Sequence, residues 1–249
     1  MQQQIVAVQE PEPGILEITM QDRETRNAFS PQLANALTEA FQVVDRHTRA
    51  CVVILKGYEN YFSSGGSQDA LLDIFEGKMQ FTDSNLYSLP LECRIPVISA
   101  MQGHAIGGGF VFGLFSDFVV LAKESVYTTN FMKYGFTPGM GATCVLPRKL
   151  GIALAEEMLF SAATYRGGDL EKRGIPFPVL PRAEVLPHVM QMARQIAEKP
   201  RLSLIALKDH LVAPLRQELP AAIHAEVTMH EKTFHQPEVK QRILTLFGK

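Results

Sequence analysis

Two glycine-rich segments carry the residues best suited to chemistry: Phe62-Ser63-Ser64-Gly65-Gly66-Ser67 and Gln102-Gly103-His104-Ala105-Ile106-Gly107-Gly108-Gly109. Each follows an apolar, strand-like run, Cys51 to Leu55 and Pro96 to Met101, and each precedes a helical pattern. Glycine removes the Cβ, permits left-handed dihedrals and lets a ligand approach the backbone closely. A helix starting at Gly108 or Gly109 adds unpaired N–H donors and the positive end of its dipole. Two such donors aimed at one acyl oxygen would form an oxyanion hole, contributing about 3 kcal/mol of transition-state stabilisation per donor. Either segment alone reads more readily as a tight turn or a site of close helix packing. Paired at matching strand ends, they point to the stabilisation of developing negative charge.

The elements that must position these loops are legible around them. Ile15 to Met20 alternates apolar and polar side chains, which predicts a strand with one buried face. Ser30-Pro31 supplies an N-cap with proline at the first helical position. Leu33, Ala36, Leu37, Ala40, Phe41 and Val44 then recur at helical spacing. Cys51 to Leu55 predicts a strand buried on both faces, so the order strand, helix, strand favours an α/β fold. Gln68 to Lys78 predicts a helix, and Thr82 or Asp83 is placed to cap a short one containing Leu86, Leu89 and Leu91. Phe118 to Ala122 supplies a further strand. Beyond Pro138-Gly139 the chain reads as mostly helical, with helices over Ala183 to Glu198, Arg201 to Leu211 and Pro220 to His235. Pro200, Pro214, Pro220 and Pro237 punctuate them.

Composition narrows the class. The 249 residues suit one main domain with helical additions, and 46% hydrophobic with 20% charged residues is an ordinary globular balance. A net charge of −2 offers no global field for nucleic acid or an anionic membrane. The start Met-Gln-Gln-Gln lacks a basic region and an uninterrupted apolar run, which predicts neither a signal peptide nor a membrane span. Cys51, Cys93 and Cys144 are odd in number and widely spaced, as expected of reduced thiols in a cytoplasmic protein. His210, His224 and His235 have no convergent Cys or carboxylate partners, so no metal site is expected. Gly103 to Gly109 lacks dinucleotide-binding spacing after a strand, and Gly65-Gly66-Ser67-Gln68-Asp69 ends in aspartate where a nucleophile elbow needs glycine.

Together, the two glycine segments, Ser116-Asp117 and Gly135-Phe-Thr-Pro-Gly139 resemble the crotonase, or enoyl-CoA hydratase/isomerase, superfamily, in order and spacing over roughly residues 10 to 175. The resemblance implies a spiral of ββα units over residues 1–195, a C-terminal helical region over 196–249 that mediates trimerisation, and assembly as a trimer or hexamer. It also implies that the oxyanion donors are the amides of Gly66 and Gly108. Hydratases of the superfamily carry two glutamates, and the positions matching them hold Val111 and Phe131. Hydration needs a base to activate water and an acid to protonate carbon, and neither side chain can serve. Both would instead dry the substrate pocket.

Asn85-Leu-Tyr-Ser88, Tyr127 to Gly141, Leu207-Lys-Asp-His-Leu211 and Met229-His-Glu-Lys-Thr-Phe234 narrow the likeness to the decarboxylase branch of polyketide β-branching cassettes. The activity this implies is decarboxylation of a 3-methylglutaconyl group, borne on the phosphopantetheine of an acyl carrier protein, to a 3-methylcrotonyl thioester. No cofactor is implied. His230 matches a histidine that reaches the active site in that branch, where it would bind the substrate carboxylate or deliver a proton. A lysine of the branch aligns with Gln80, and Lys78 lies two residues earlier, so either residue is a candidate for holding the carboxylate. An enoyl thioester isomerase using His230 as base is the enzymatic rival. A non-catalytic homologue that binds a carrier protein or RNA is the rival from another class.

Overall fold

The computed structural model describes residues 4–83 and 85–247. A six-stranded sheet runs in the order Val6–Glu12, Ile15–Met20, Val52–Lys56, Val97–Met101, Phe118–Ala122, Val179–Leu180. Only the first pair is antiparallel; the others are parallel. A second sheet holds Thr164–Arg166, Val126–Thr128, His104–Ile106 and Tyr61–Ser63. The chain alternates between the two: Val52–Lys56 leads to Tyr61–Ser63 and the helix Gln68–Phe75, then Val97–Met101 leads to His104–Ile106 and the helix Gly108–Leu114. That repetition is the ββα spiral that the family resemblance implies.

Local chemistry explains the boundaries. Ser30 Oγ accepts from the Leu33 amide at 3.1 Å and starts the helix Pro31–Arg46, which buries Leu33, Leu37, Phe41 and Val44. A cap of this kind stabilises by about 1 kcal/mol. The parallel strands are apolar on both faces because both are covered. Val185, Val189 and Ala193 of the helix Arg182–Ala197 pack on Ile54, Ile98 and Val120 from one side. The other face meets the main core, which includes Leu37, Phe41, Phe112 and Leu114.

Three expectations need correction. The helix predicted over Gln68 to Lys78 ends at Phe75, because Gly77 turns at φ +71°. Neither Thr82 nor Asp83 caps a helix: Asp83 Oδ2 accepts from the Gln80 amide at 2.7 Å, and a 3₁₀ turn begins only at Leu86. The helices predicted over Arg201 to Leu211 and Pro220 to His235 are one continuous helix, Arg201–Thr233, of 33 residues. Pro214 and Pro220 lie inside it, although an interior proline costs about 3 kcal/mol. Burial of Ile205, Leu215 and Leu219 offsets that cost, since each large aliphatic chain stabilises by about 1.5–3 kcal/mol. Lys208, also buried, adds polar anchors: its Nζ donates to Pro90 O at 2.9 Å and Ile95 O at 3.0 Å and pairs with Asp117 Oδ2 at 2.7 Å.

Candidate active site

The two glycine junctions meet. Phe29 pairs with Gly66 in a short parallel ladder, and Gly65 turns at φ +79° just before it. A Cβ on Gly65 would lie 2.4 Å from Ile106 O and 3.4 Å from Gly108 N, so the first loop runs directly against the second. Ser63 Oγ fixes this approach by accepting from the Gly65 amide at 3.1 Å and donating to Asn27 O at 2.7 Å. Gly107 adopts φ +53° and donates to Thr128 O at 2.8 Å. Gly108 then begins the helix Gly108–Leu114 and presents an N–H that no residue of its own helix can accept. A side chain at Gly108 would come within 2.6 Å of Met140 Sδ, and one at Gly109 within 2.6 Å of Ser63 O. Close approach is why glycine is needed there.

Both junctions open on a cavity of about 860 Å³ lined by Gly66, Gly108, Gln80, Tyr87, Phe131 and Met140, among others. The Phe131 ring forms part of its wall, 6.2 Å from that of Phe136. Val111 is fully buried in the core and does not line the cavity. Neither position offers a group that can take or give a proton. Asp117 and Glu124, the acids nearest in sequence that could stand in, have structural partners. Asp117 accepts from the Val97 amide at 2.8 Å and pairs with Lys208, and Glu124 accepts from the Arg182 amide at 2.9 Å. His104 Nδ1 accepts from the Val126 amide at 2.9 Å.

Gln80 and Lys78 part company. Gln80 lines the cavity. The Lys78 side chain is 64% exposed and pairs with Glu76 at 2.6 Å and Asp73 at 3.7 Å, outside the cavity lining. Those carboxylates, Glu76 foremost, raise its pKa.

His230 occupies a separate, much smaller recess with Glu226, Gly139 and Val227. Phe81, Tyr87 and Met140 face both the recess and the large cavity, so His230 stands one side chain behind the cavity wall. Its ring centroid is 4.8 Å from that of Phe81 and 5.9 Å from that of Phe234. Nε2 lies 2.8 Å from Thr137 O; a carbonyl only accepts, so Nε2 carries a hydrogen and Nδ1 holds the lone pair of the neutral ring. Burial pushes the imidazole pKa down, and the carbonyls of Thr137 and Pro138 partly restore it.

Sequence reasoning did not single out Phe81 or Glu226, and it met Tyr87 and Met140 only within resembling segments. Met140 is a non-glycine residue at φ +62°, invisible from residue type.

The family model described as enoyl-CoA hydratase/isomerase matches residues 10–247. The chain belongs to that family. Among its relatives is the bacillaene synthase decarboxylase PksI of Bacillus subtilis, 59% identical over 248 residues and covering 100% of both chains. A solved structure from a dehydratase/decarboxylase couple involved in polyketide β-branching superposes with a TM-score of 0.97 at 59% identity, covering 98% of this chain and 100% of that one. The ECH2 decarboxylase domain of CurF from Lyngbya majuscula follows at a TM-score of 0.94 and 48% identity, covering 98% of this chain and 99% of that one. More distant is the carnitinyl-CoA dehydratase of Salmonella, 29% identical over 78% of this chain and 76% of its own.

Proposed function

We propose that this chain decarboxylates a 3-methylglutaconyl thioester carried on the phosphopantetheine arm of an acyl carrier protein. The observation that carries the reading is a paired glycine junction on a cavity whose wall holds Phe131 at one hydratase carboxylate position, while Val111, at the other, is buried in the core behind it. The carbon–carbon bond to the terminal carboxylate breaks, carbon dioxide leaves, and the electron pair delocalises onto the thioester oxygen. The amides of Gly66 and Gly108 stabilise that dienolate where charge develops. A proton then returns to carbon and gives the 3-methylcrotonyl thioester. His230 is the group we assign to carboxylate binding or proton delivery, reached from the cavity past Phe81 and Met140. Gln80 faces the substrate as a neutral hydrogen-bonding partner. The apolar part of the lining, Phe29, Leu71, Phe131 and Phe136 among it, weakens solvation of a carboxylate placed against it, which favours its loss. We assign the working form to the cytoplasm, as a homotrimer or hexamer.

The test is mass spectrometry of a carrier protein loaded with 3-methylglutaconyl, before and after incubation. Loss of the mass of carbon dioxide is expected, and His230→Ala should slow it by roughly a hundredfold. Gain of the mass of water, or no change with the wild type, overturns the assignment.

A further inference from the structure

Glu226 is almost completely buried in the recess that holds His230, yet it belongs to neither glycine junction. Its carboxylate accepts from the Gly141 amide at 2.7 Å, the Thr143 amide at 2.8 Å and the Thr143 hydroxyl at 2.6 Å. Gly141 and Thr143 start the helix Ala142–Leu150, so a side chain from one helix closes the open amino end of another. Burial raises the carboxyl pKa and the three donors oppose that rise.

Glu226 does not act alone. Glu226, His230 and Thr233 recur at helical spacing along one face of Arg201–Thr233. Thr233 Oγ1 lies 3.1 Å from Thr137 Oγ1, and His230 holds Thr137 O. All three residues therefore grip the segment from Thr137 to Thr143, two at its start and Glu226 at its end. Between these grips lies Met140, held in the left-handed region at φ +62°, a conformation that a methionine keeps only when its surroundings impose it. Its Sδ packs on Gly108 so closely that a Cβ there would lie 2.6 Å away.

We propose that Glu226 is a positioning residue for the decarboxylation: by clamping the Gly141–Thr143 amides it sets Met140 against Gly108 and so aims the second oxyanion donor. The inference rests on the oxyanion role assigned to Gly108 above. It needs no contact between Glu226 and substrate.

The experiment reads the oxyanion hole directly. Crotonyl-CoA labelled with ¹³C at the thioester carbonyl is bound to the full-length protein, and the carbonyl stretch is followed by infrared difference spectroscopy. The wild type should shift the band to lower wavenumber. Glu226→Gln keeps the shape of the side chain but turns an amide NH₂ toward one of the three donors; it should lose about half of the shift, with turnover of the glutaconyl thioester down about tenfold and KM within about twofold. Glu226→Ala should lose more, and Glu226→Gln carries the test alone if that variant does not fold. A full shift and unchanged turnover per folded molecule in Glu226→Gln would overturn the proposal, as would a wild type that does not polarise the carbonyl. A wild type that polarises crotonyl-CoA without decarboxylating anything would sink the functional assignment and leave the role of Glu226 standing.

Discussion

Gln80 brings a neutral amide to the cavity wall, whereas the ammonium of Lys78 is neutralised outside it by Glu76 and Asp73. A cation at position 80 would strengthen binding of the substrate carboxylate but also stabilise the ground state that must give up carbon dioxide. Only differential stabilisation raises the rate. Gln80→Lys should therefore lower KM for the glutaconyl thioester more than it raises kcat, and Lys78→Ala should leave both within about twofold. Steady-state kinetics that show Lys78→Ala inactive and Gln80→Lys silent would exchange the two roles. His230 gives a second check at this scale. Its pKa in the folded chain lies below the ordinary value of 6.5 because it is buried. Above that value both folded and unfolded chains hold a neutral ring. Below it the unfolded chain takes up a proton that the folded chain resists, so stability is lost as the pH falls. Histidine resonances followed by NMR should titrate His230 below 6.5, and His230→Gln should flatten the acid side of the stability profile. His104, lowered likewise by burial, will keep part of the slope. A His230 titration at or above 6.5 would contradict this.

At the scale of elements, the parts readable from sequence were those whose physics is local. The stripe Leu33, Leu37, Phe41, Val44 and the Ser30 cap announce a helix from within one short stretch of chain, Ser30 to Val44. Gly65 and Gly107 announce turns through their left-handed backbone, and Gly108 and Gly109 announce a close approach that a side chain would crowd. The helix Arg201–Thr233 was misread as two because proline is a local signal, while the burial that overrides it comes from segments as distant as Pro90 and Ile95. Glu226 escaped notice for the same reason: its partners lie 85 and 83 positions away. The seam between this helix and the Gly135 to Gly141 turn can be tested at Gly139, whose added Cβ would sit 2.5 Å from His230 Cε1. Gly139→Ala should displace the ring, lower stability by about 1–3 kcal/mol in urea unfolding, and cut turnover by more than the loss of folded protein explains. Wild-type stability and rate would mean that the ring can move without consequence.

On the scale of the whole molecule, the same helix carries an apolar outer surface. Leu202, Leu207 and Leu211 are 78%, 56% and 67% exposed, and the last two lie one turn apart. Leucines left in water on a single helix are expected to be covered by another copy of the chain. The double substitution Leu207→Glu with Leu211→Glu should reduce the assembly to a monomer in light scattering while the circular dichroism spectrum persists. A wild type that is itself a stable monomer at micromolar concentration would refute the expectation.

The absence of a break at Pro214 and Pro220 gives that surface a mechanical meaning. About twenty residues separate Leu211 from His230, a rod of roughly 30 Å at the helical rise. A hinge would absorb a displacement at the far end, whereas a rod transmits it. Loosening the leucine end should therefore tilt Glu226 and His230 together, and specific activity should fall on dilution as the oligomer comes apart, well before any subunit unfolds. Activity independent of concentration through the dissociation midpoint would show that the rod is clamped firmly enough by its own subunit.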